Sequence, residues 1–159
     1  MKLGNYVLGS WQEGRDAGKP LFNAINGEQI ALATSAGLNF GDILDYGRTK
    51  GGPSLRKMTF QERGLMLKAL ALHLMSKKKS YYDLSWATGA TKVDSWIDIE
   101  GGIGNLFANA SLRKQFPDLP YYVDGETTPL SKGGSFIGHH IMVPKQGIAV
   151  HINAFNFPV

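Results

Sequence analysis

The chain contains no cysteine. Disulfides and thiolate-ligated zinc are thereby excluded, and so is any thiol nucleophile supplied by these residues. It also lacks an apolar run approaching the roughly 20 residues of a membrane-spanning helix. Its first residues, Met1-Lys2-Leu3-Gly4-Asn5-Tyr6, lack the apolar centre of a signal peptide. A cytoplasmic protein without membrane contact is the expectation. Charge is scarce and evenly spread: 17 Lys and Arg against 13 Asp and Glu give a formal +4. The densest basic run, Lys77-Lys78-Lys79, stops at Ser80. A nucleic-acid surface needs a longer stripe with stacking aromatics at intervals, so no such partner is expected. The run reads instead as a solvated helix start.

What is present is an ordinary globular balance. Over 159 residues, 43% are apolar and 19% charged, enough for one modest core. Glycine is abundant, at 20 residues, which points to tight turns and close backbone approaches. Tyr6-Val7-Leu8, a break at Gly9-Ser10 and Trp11-Gln12-Glu13 predict a first β-hairpin. Apolar stretches at 21–25 and 29–34 flank Asn26-Gly27, a pair that tolerates positive φ, and predict a second.

Helical patterns follow. The first covers 39–50 and should stop at Gly51-Gly52-Pro53. Thr59-Phe60-Gln61-Glu62 is a capping box, and Leu65, Met66, Ala69, Leu70, His73 and Leu74 recur behind it at helical spacing. A shorter helix is expected from about Lys77 to Thr88, ended by Gly89. Another starts near Asp94, where an acidic side chain favours the helix dipole. Val93, Trp96, Ile97, Glu100, Ile103, Phe107 and Ala110 give it one face. Gly101, Gly102 and Gly104 lie within it, and glycines kept mid-helix suggest another backbone packed against them. Beyond Pro120 the pattern becomes strands, at 121–123, 135–143 and 147–153. The last is β-branched and almost continuously apolar, as a central parallel strand is.

Familiar chemical motifs fail on order or geometry. Lys50-Gly51-Gly52-Pro53-Ser54 and Lys132-Gly133-Gly134-Ser135 place the lysine before the glycines, where a phosphate loop needs it after them. Gly102-Ile103-Gly104 lacks the third glycine of a dinucleotide fingerprint. Of the histidines, His139 and His140 are strand neighbours pointing to opposite faces, and His73 lies on an apolar helical face, so no metal site is expected.

One segment discriminates further: Gly147-Ile148-Ala149-Val150-His151-Ile152-Asn153-Ala154-Phe155-Asn156-Phe157-Pro158. It resembles the aldehyde dehydrogenase segment in which a strand ends in Pro-Trp-Asn-Phe-Pro, with Ala154 and Phe155 replacing the Pro and Trp. Leu8-Gly9-Ser10-Trp11 is similar to the family's opening strand, and Met58-Thr59-Phe60-Gln61-Glu62-Arg63 to its Glu-Arg helix start. The stretch from Thr88-Gly89-Ala90-Thr91-Lys92-Val93 to Gly104 resembles the bifunctional ring-opening proteins of bacterial phenylacetate degradation.

The resemblance implies an α/β chain forming the amino-terminal part of an aldehyde dehydrogenase-like fold. Residues 1–120 would hold hairpins and three to four helices. Residues 121–146 would be strands of an oligomerisation arm, and 147–159 would begin the cofactor-binding sheet. The activity implied is oxidation of an aldehyde, here a CoA-linked semialdehyde of aromatic-acid breakdown, to an acid with NAD or NADP, in a homo-oligomer. A cysteine thiolate attacks the aldehyde carbon, and Asn156 would hold the resulting oxyanion. Ile152, Asn153, Ala154 and Phe155 would line the nicotinamide side of the cofactor cleft, mainly through backbone and packing. Without its own cysteine the chain should be inactive alone. Taken singly, Asn156-Phe157-Pro158 also suits a simple turn at a strand end, with Asn bonding the backbone. A non-catalytic interaction or oligomerisation module, or a truncated gene product, is the alternative reading of the whole.

Overall fold

A computed structural model describes residues 1–158; Val159, the last residue of the segment assigned to the cofactor sheet, lies outside them. Strands β1 (Asn5–Val7) and β2 (Ser10–Gln12) form the first hairpin, antiparallel with Val7 opposite Ser10. The turn is Leu8-Gly9 rather than Gly9-Ser10, both residues having positive φ, 53° and 81°. That conformation matches the twist of the flanking strands. Strands β3 (Lys19–Phe22) and β4 (Gln29–Ala33) make the second hairpin. Its loop is wider than the two-residue turn expected. Asn23 Oδ1 accepts from Ile25 N and Asn26 Oδ1 from Glu28 N, so asparagine side chains shape it, while Gly27 N donates to the Asn23 backbone carbonyl. The amino terminus adds a parallel bridge between Lys2 and Leu32 beside β4.

Helix α1 (Phe40–Tyr46) is capped by the Asn39 side chain. It does not stop at Gly51. A π-type turn, Gly47–Gly51, leads directly into α2 (Gly52–Lys57), with helical backbone at both glycines. Pro53 sits in the first turn of α2, where its fixed φ suits helical backbone. Thr59 and Glu62 form the expected capping box at the start of α3 (Phe60–Ser85).

Helix α3 is one continuous 26-residue helix. The separate helix expected from Lys77 is therefore corrected: between Leu65 and Ser85 no glycine, proline or cap offers a stop, and the lysines are good helix formers. A short 3₁₀ turn, Trp86–Thr88, closes it, and Gly89, at φ 81°, ends it as anticipated. Helix α4 (Lys92–Ser111) begins with a second capping box, Thr91 with Asp94. A 3₁₀ turn follows at Leu112–Gln115.

The core lies where α3 crosses α4. Ala71, Ile99 and Ile103 are buried together, with Leu74, Met75, Tyr81, Tyr82, Leu106 and Phe107 packed around them. At the crossing Gly64 admits its neighbour. A Cβ there would lie 2.7 Å from Arg113 Cβ and 2.9 Å from the Ala110 carbonyl oxygen. Gly101 and Gly104 have open space beside them. The buried face of α4 runs through Ser95, Asp98, Ile99, Ile103 and Ala110, while Val93, Trp96 and Ile97 are exposed. Polar residues on the inner face, such as Ser95 bonded to Ser85 at 2.9 Å, disguised it in the apolar pattern. Likewise Leu65, Met66, Ala69, Leu70 and His73 are exposed on α3, so His73 is not a core histidine.

Gln61 fastens the first turn of α3 to the end of α4, donating to the Arg113 carbonyl at 2.7 Å and the Phe116 carbonyl at 3.1 Å. Beyond it, β5 (Tyr122–Pro129) and β6 (Ile137–Met142) form an antiparallel hairpin interrupted by a bulge between Val123 and Thr127. The expected strand at 147–153 does not form: these residues lie outside every helix and strand. A strand needs a ladder, and no neighbour among the described residues offers one.

Candidate active-site segment

After β6 the chain runs extended along the helical part, and glycines let it approach. Ile148 rests against Gly47, with its Cγ1 3.4 Å from where a Cβ would stand, and the Gly147 carbonyl lies 3.7 Å from the same point on Gly52. Further on, residues 155–157 reach the turn that ends α3. Thr88, Gly89, Ala90 and Asp94 share a shallow cleft of about 370 Å³ with Phe155, Asn156 and Phe157. No spacing rule in the sequence links residues 88–94 to 155–157, so this neighbourhood went unforeseen.

The five expected site residues behave differently from one another. Asn156 lies in the cleft, exposed, with its amide free of hydrogen bonds to other described residues. Asn153 is engaged, its Nδ2 donating to the Pro158 carbonyl oxygen. That bond closes a tight loop around Asn156. Ile152 and Phe155 are 90% and 96% exposed, and neither Ile152 nor Ala154 lines the cleft. The segment thus presents an available amide donor beside an uncovered apolar surface.

Among its described lining residues the cleft carries one carboxylate, Asp94. Asp94 is occupied as a helix cap, its Oδ2 accepting from Thr91 Oγ1 at 2.6 Å and Thr91 N at 3.3 Å. No cluster of three or more His, Cys, Asp or Glu capable of holding a metal occurs among the described residues. No described helix is long and apolar enough to cross a membrane. His139 and His140 are both exposed on β6. The interacting titratable groups lie instead between α3 and α4, where Glu100 Oε1 accepts from Tyr82 Oη at 2.9 Å and Lys78 Nζ at 3.1 Å. The Tyr82 hydroxyl first, and the Lys78 ammonium next, hold the Glu100 carboxyl below its ordinary range. Partial burial, and then Glu100, push the Tyr82 hydroxyl up. The three groups form a structural clasp, and none of them lines the cleft that holds Asn156.

No family model matches the chain. It is 37% identical over 159 residues, 99% of its length, to the 3,4-dehydroadipyl-CoA semialdehyde dehydrogenase of Aromatoleum evansii. The chain matches a fragment of an aldehyde dehydrogenase. It spans 31% of that relative's length. The mixed α/β architecture, with helices and small antiparallel sheets, is compatible with such a fragment. At 37% identity across nearly the whole chain, the agreement extends well beyond the Asn156-Phe157-Pro158 turn.

Proposed function

We propose that this chain is part of an NAD- or NADP-dependent aldehyde dehydrogenase that oxidises a CoA-linked semialdehyde from aromatic breakdown to the acid. The observation that carries the reading is the alignment over 99% of the chain to a dehydrogenase named for such a semialdehyde. Residues 1–120 would be its hairpins and helical part, 121–146 an arm through which copies associate, and 147–159 the start of the cofactor-binding sheet. Residues 147–153 would become a strand when a neighbouring strand completes the ladder. Their β-branched, nearly unbroken apolar run supports that role.

Asn156 would act as an oxyanion donor. A thiolate from elsewhere in the protein would attack the aldehyde carbon, forming the C–S bond while the carbonyl electron pair moves onto oxygen. The Asn156 amide N–H would donate to that oxygen. An uncommitted amide suits the task, because no existing hydrogen bond must break. The Asn153–Pro158 bond holds the loop that carries it. Exposed Ile152 and Phe155, with small Ala154 between them, fit a flat ring laid against the segment. A nicotinamide dinucleotide, when bound, supplies the hydride acceptor. These residues would exclude water from its face and orient it.

The test uses the full-length gene product with a CoA-linked semialdehyde, following reduced nicotinamide by absorbance. Asn156→Ala should lower kcat by roughly a hundred- to thousandfold, as loss of one such donor does, with KM little changed. Full activity in that variant would remove Asn156 from the reaction. No oxidation of CoA-linked semialdehydes by the unmutated protein would overturn the substrate reading. The 159 residues expressed alone should show none.

A further inference from the structure

Residues 144–149 cross the start of α2 and the first turns of α3, and there they enclose a second cleft, of about 410 Å³. Among the described residues its lining carries three cationic side chains, Arg56, Arg63 and Lys145, and no carboxylate. Arg56 and Arg63 are half-buried, and Lys145 is exposed at the rim. Among the described residues, neither guanidinium has an ion-pair or hydrogen-bond partner. Arg63 is steadied by the Phe60 ring, 4.7 Å below its central carbon. Arg56 lies across Gly52, its Nη1 3.0 Å from where a Cβ would stand, and the Gly147 carbonyl borders the same spot. Glycine at 52 therefore makes room for the guanidinium to face the cleft.

Two half-buried guanidiniums and a lysine facing one space repel one another and sit partly out of water. Such an arrangement is costly unless an anion compensates it. A planar guanidinium presents paired N–H donors that match the oxygens of a phosphate or carboxylate, while a lysine adds a mobile point charge. Three positive charges with no counter-charge among the described lining residues suit a doubly charged group better than a single carboxylate. We propose that the cleft bounded by Arg56, Arg63 and Lys145 binds a phosphate ester or diphosphate group. This goes beyond the role given to Asn156, which is in a separate cleft. Only the identity of the phosphate's bearer rests on the dehydrogenase reading: either the CoA portion of the substrate or the nicotinamide dinucleotide.

The experiment is titration calorimetry on the full-length gene product with inorganic pyrophosphate, CoA and NADP+ as separate probes. Arg56→Gln and Lys145→Gln should each weaken at least one probe about tenfold or more, a typical loss for a charge-assisted hydrogen bond. Arg56→Lys should recover part of the affinity. Arg48→Gln, whose guanidinium already meets Asp45 at 3.5 Å, should change nothing. Weakening confined to CoA assigns the site to the substrate, and weakening confined to NADP+ assigns it to the cofactor. Pyrophosphate binding that is lost in both variants, in a protein with no aldehyde oxidation, would keep the anion site and remove the dehydrogenase reading. The proposal is overturned if no probe binds the unmutated protein. It is equally overturned if all three bind Lys145→Gln and a natively melting Arg56→Gln within twofold of their original affinity. Lys145 is exposed and outside every helix and strand, so its variant tests the site without threatening the fold.

Discussion

Replacing Gly64 by alanine should weaken the α3–α4 crossing, although alanine is the better helix former. On an open helix surface the exchange gains about 1 kcal/mol. Here the new methyl would stand 2.7 Å from both Cβ and Cδ of Arg113 and 2.9 Å from the Ala110 carbonyl oxygen. Comfortable contact between carbons needs about 3.5 Å, so the two helices must separate by roughly 0.8 Å. That movement would stretch the two bonds by which Gln61 holds the Arg113 and Phe116 carbonyls. Overpacking of this kind costs about 1–3 kcal/mol. With the Gln61 bonds strained as well, and the helix-forming gain of about 1 kcal/mol subtracted, the net outcome should be at least about 1 kcal/mol of destabilisation. Gly101→Ala provides the contrast: nothing stands within 4 Å of its added methyl, so the helix-forming gain of up to about 1 kcal/mol should survive. Amide hydrogen exchange on the full-length protein, read over α3 and α4, locates both effects in the elements concerned. Protection should fall in Gly64→Ala and rise in Gly101→Ala. Equal losses in the two variants would refute the reasoning, because a crowded Gly101 contradicts the open face described.

Ile103→Ala removes a side chain only 1% exposed from the centre of the core and should cost about 2–5 kcal/mol, measured by denaturant unfolding. Leu8 holds a φ of 53° in a hairpin turn, so Leu8→Gly should stabilise that hairpin by about 1 kcal/mol; an unchanged or lower melting temperature would speak against strain there. Glu100 is shifted below its ordinary 4.5, so its contribution to folding is present above that pH and is lost as pH falls through the lower folded value. Tyr82→Phe should therefore move the Glu100 titration back toward 4.5 by NMR, and Glu100→Gln should flatten the acid limb of a melting-temperature profile.

The parts of the fold that could be read in advance are those specified by neighbours in sequence. Thr59 and Glu62 lie three residues apart and start α3 where expected, and Gly89 ends the helical run because only a left-handed residue turns there. The Thr91–Asp94 box follows the same rule and could have been found by it. Residues brought together by packing were harder. Ser95 and Asp98 are polar yet inside, so the apolar pattern on α4 found Ile103, Phe107 and Ala110 on the inner side but took the exposed Val93, Trp96 and Ile97 for the same face. Gly64 looks like any helical glycine until Arg113 is placed against it. The run at 147–153 carries the composition of a strand, but a ladder is a property of two segments and its second is missing among the described residues. For the candidate site, local resemblance singled out Asn156 and its turn, whose part in a reaction belongs to the proposed function. The α3–α4 turn beside it, and the joining of Arg56 and Arg63 with Lys145, depend on the path taken by residues 144–157 across the helices.

The β5–β6 hairpin packs chiefly on itself. Its root is tied to the helices through a row of rings: Phe60 stacks on Phe116 at 4.5 Å, and Phe116 meets the edge of Tyr122 at 5.5 Å. Mechanically, this is a long beam pinned at one end. Eight residues of strand reach about 27 Å, so a tilt of about 5° at Tyr122 carries the tip through about 2 Å. The first turn of α3 bears both this pin and Arg63, which sits over the same Phe60 ring. A load on the hairpin tip and an anion in the basic cleft would therefore pull on one shared aromatic side chain.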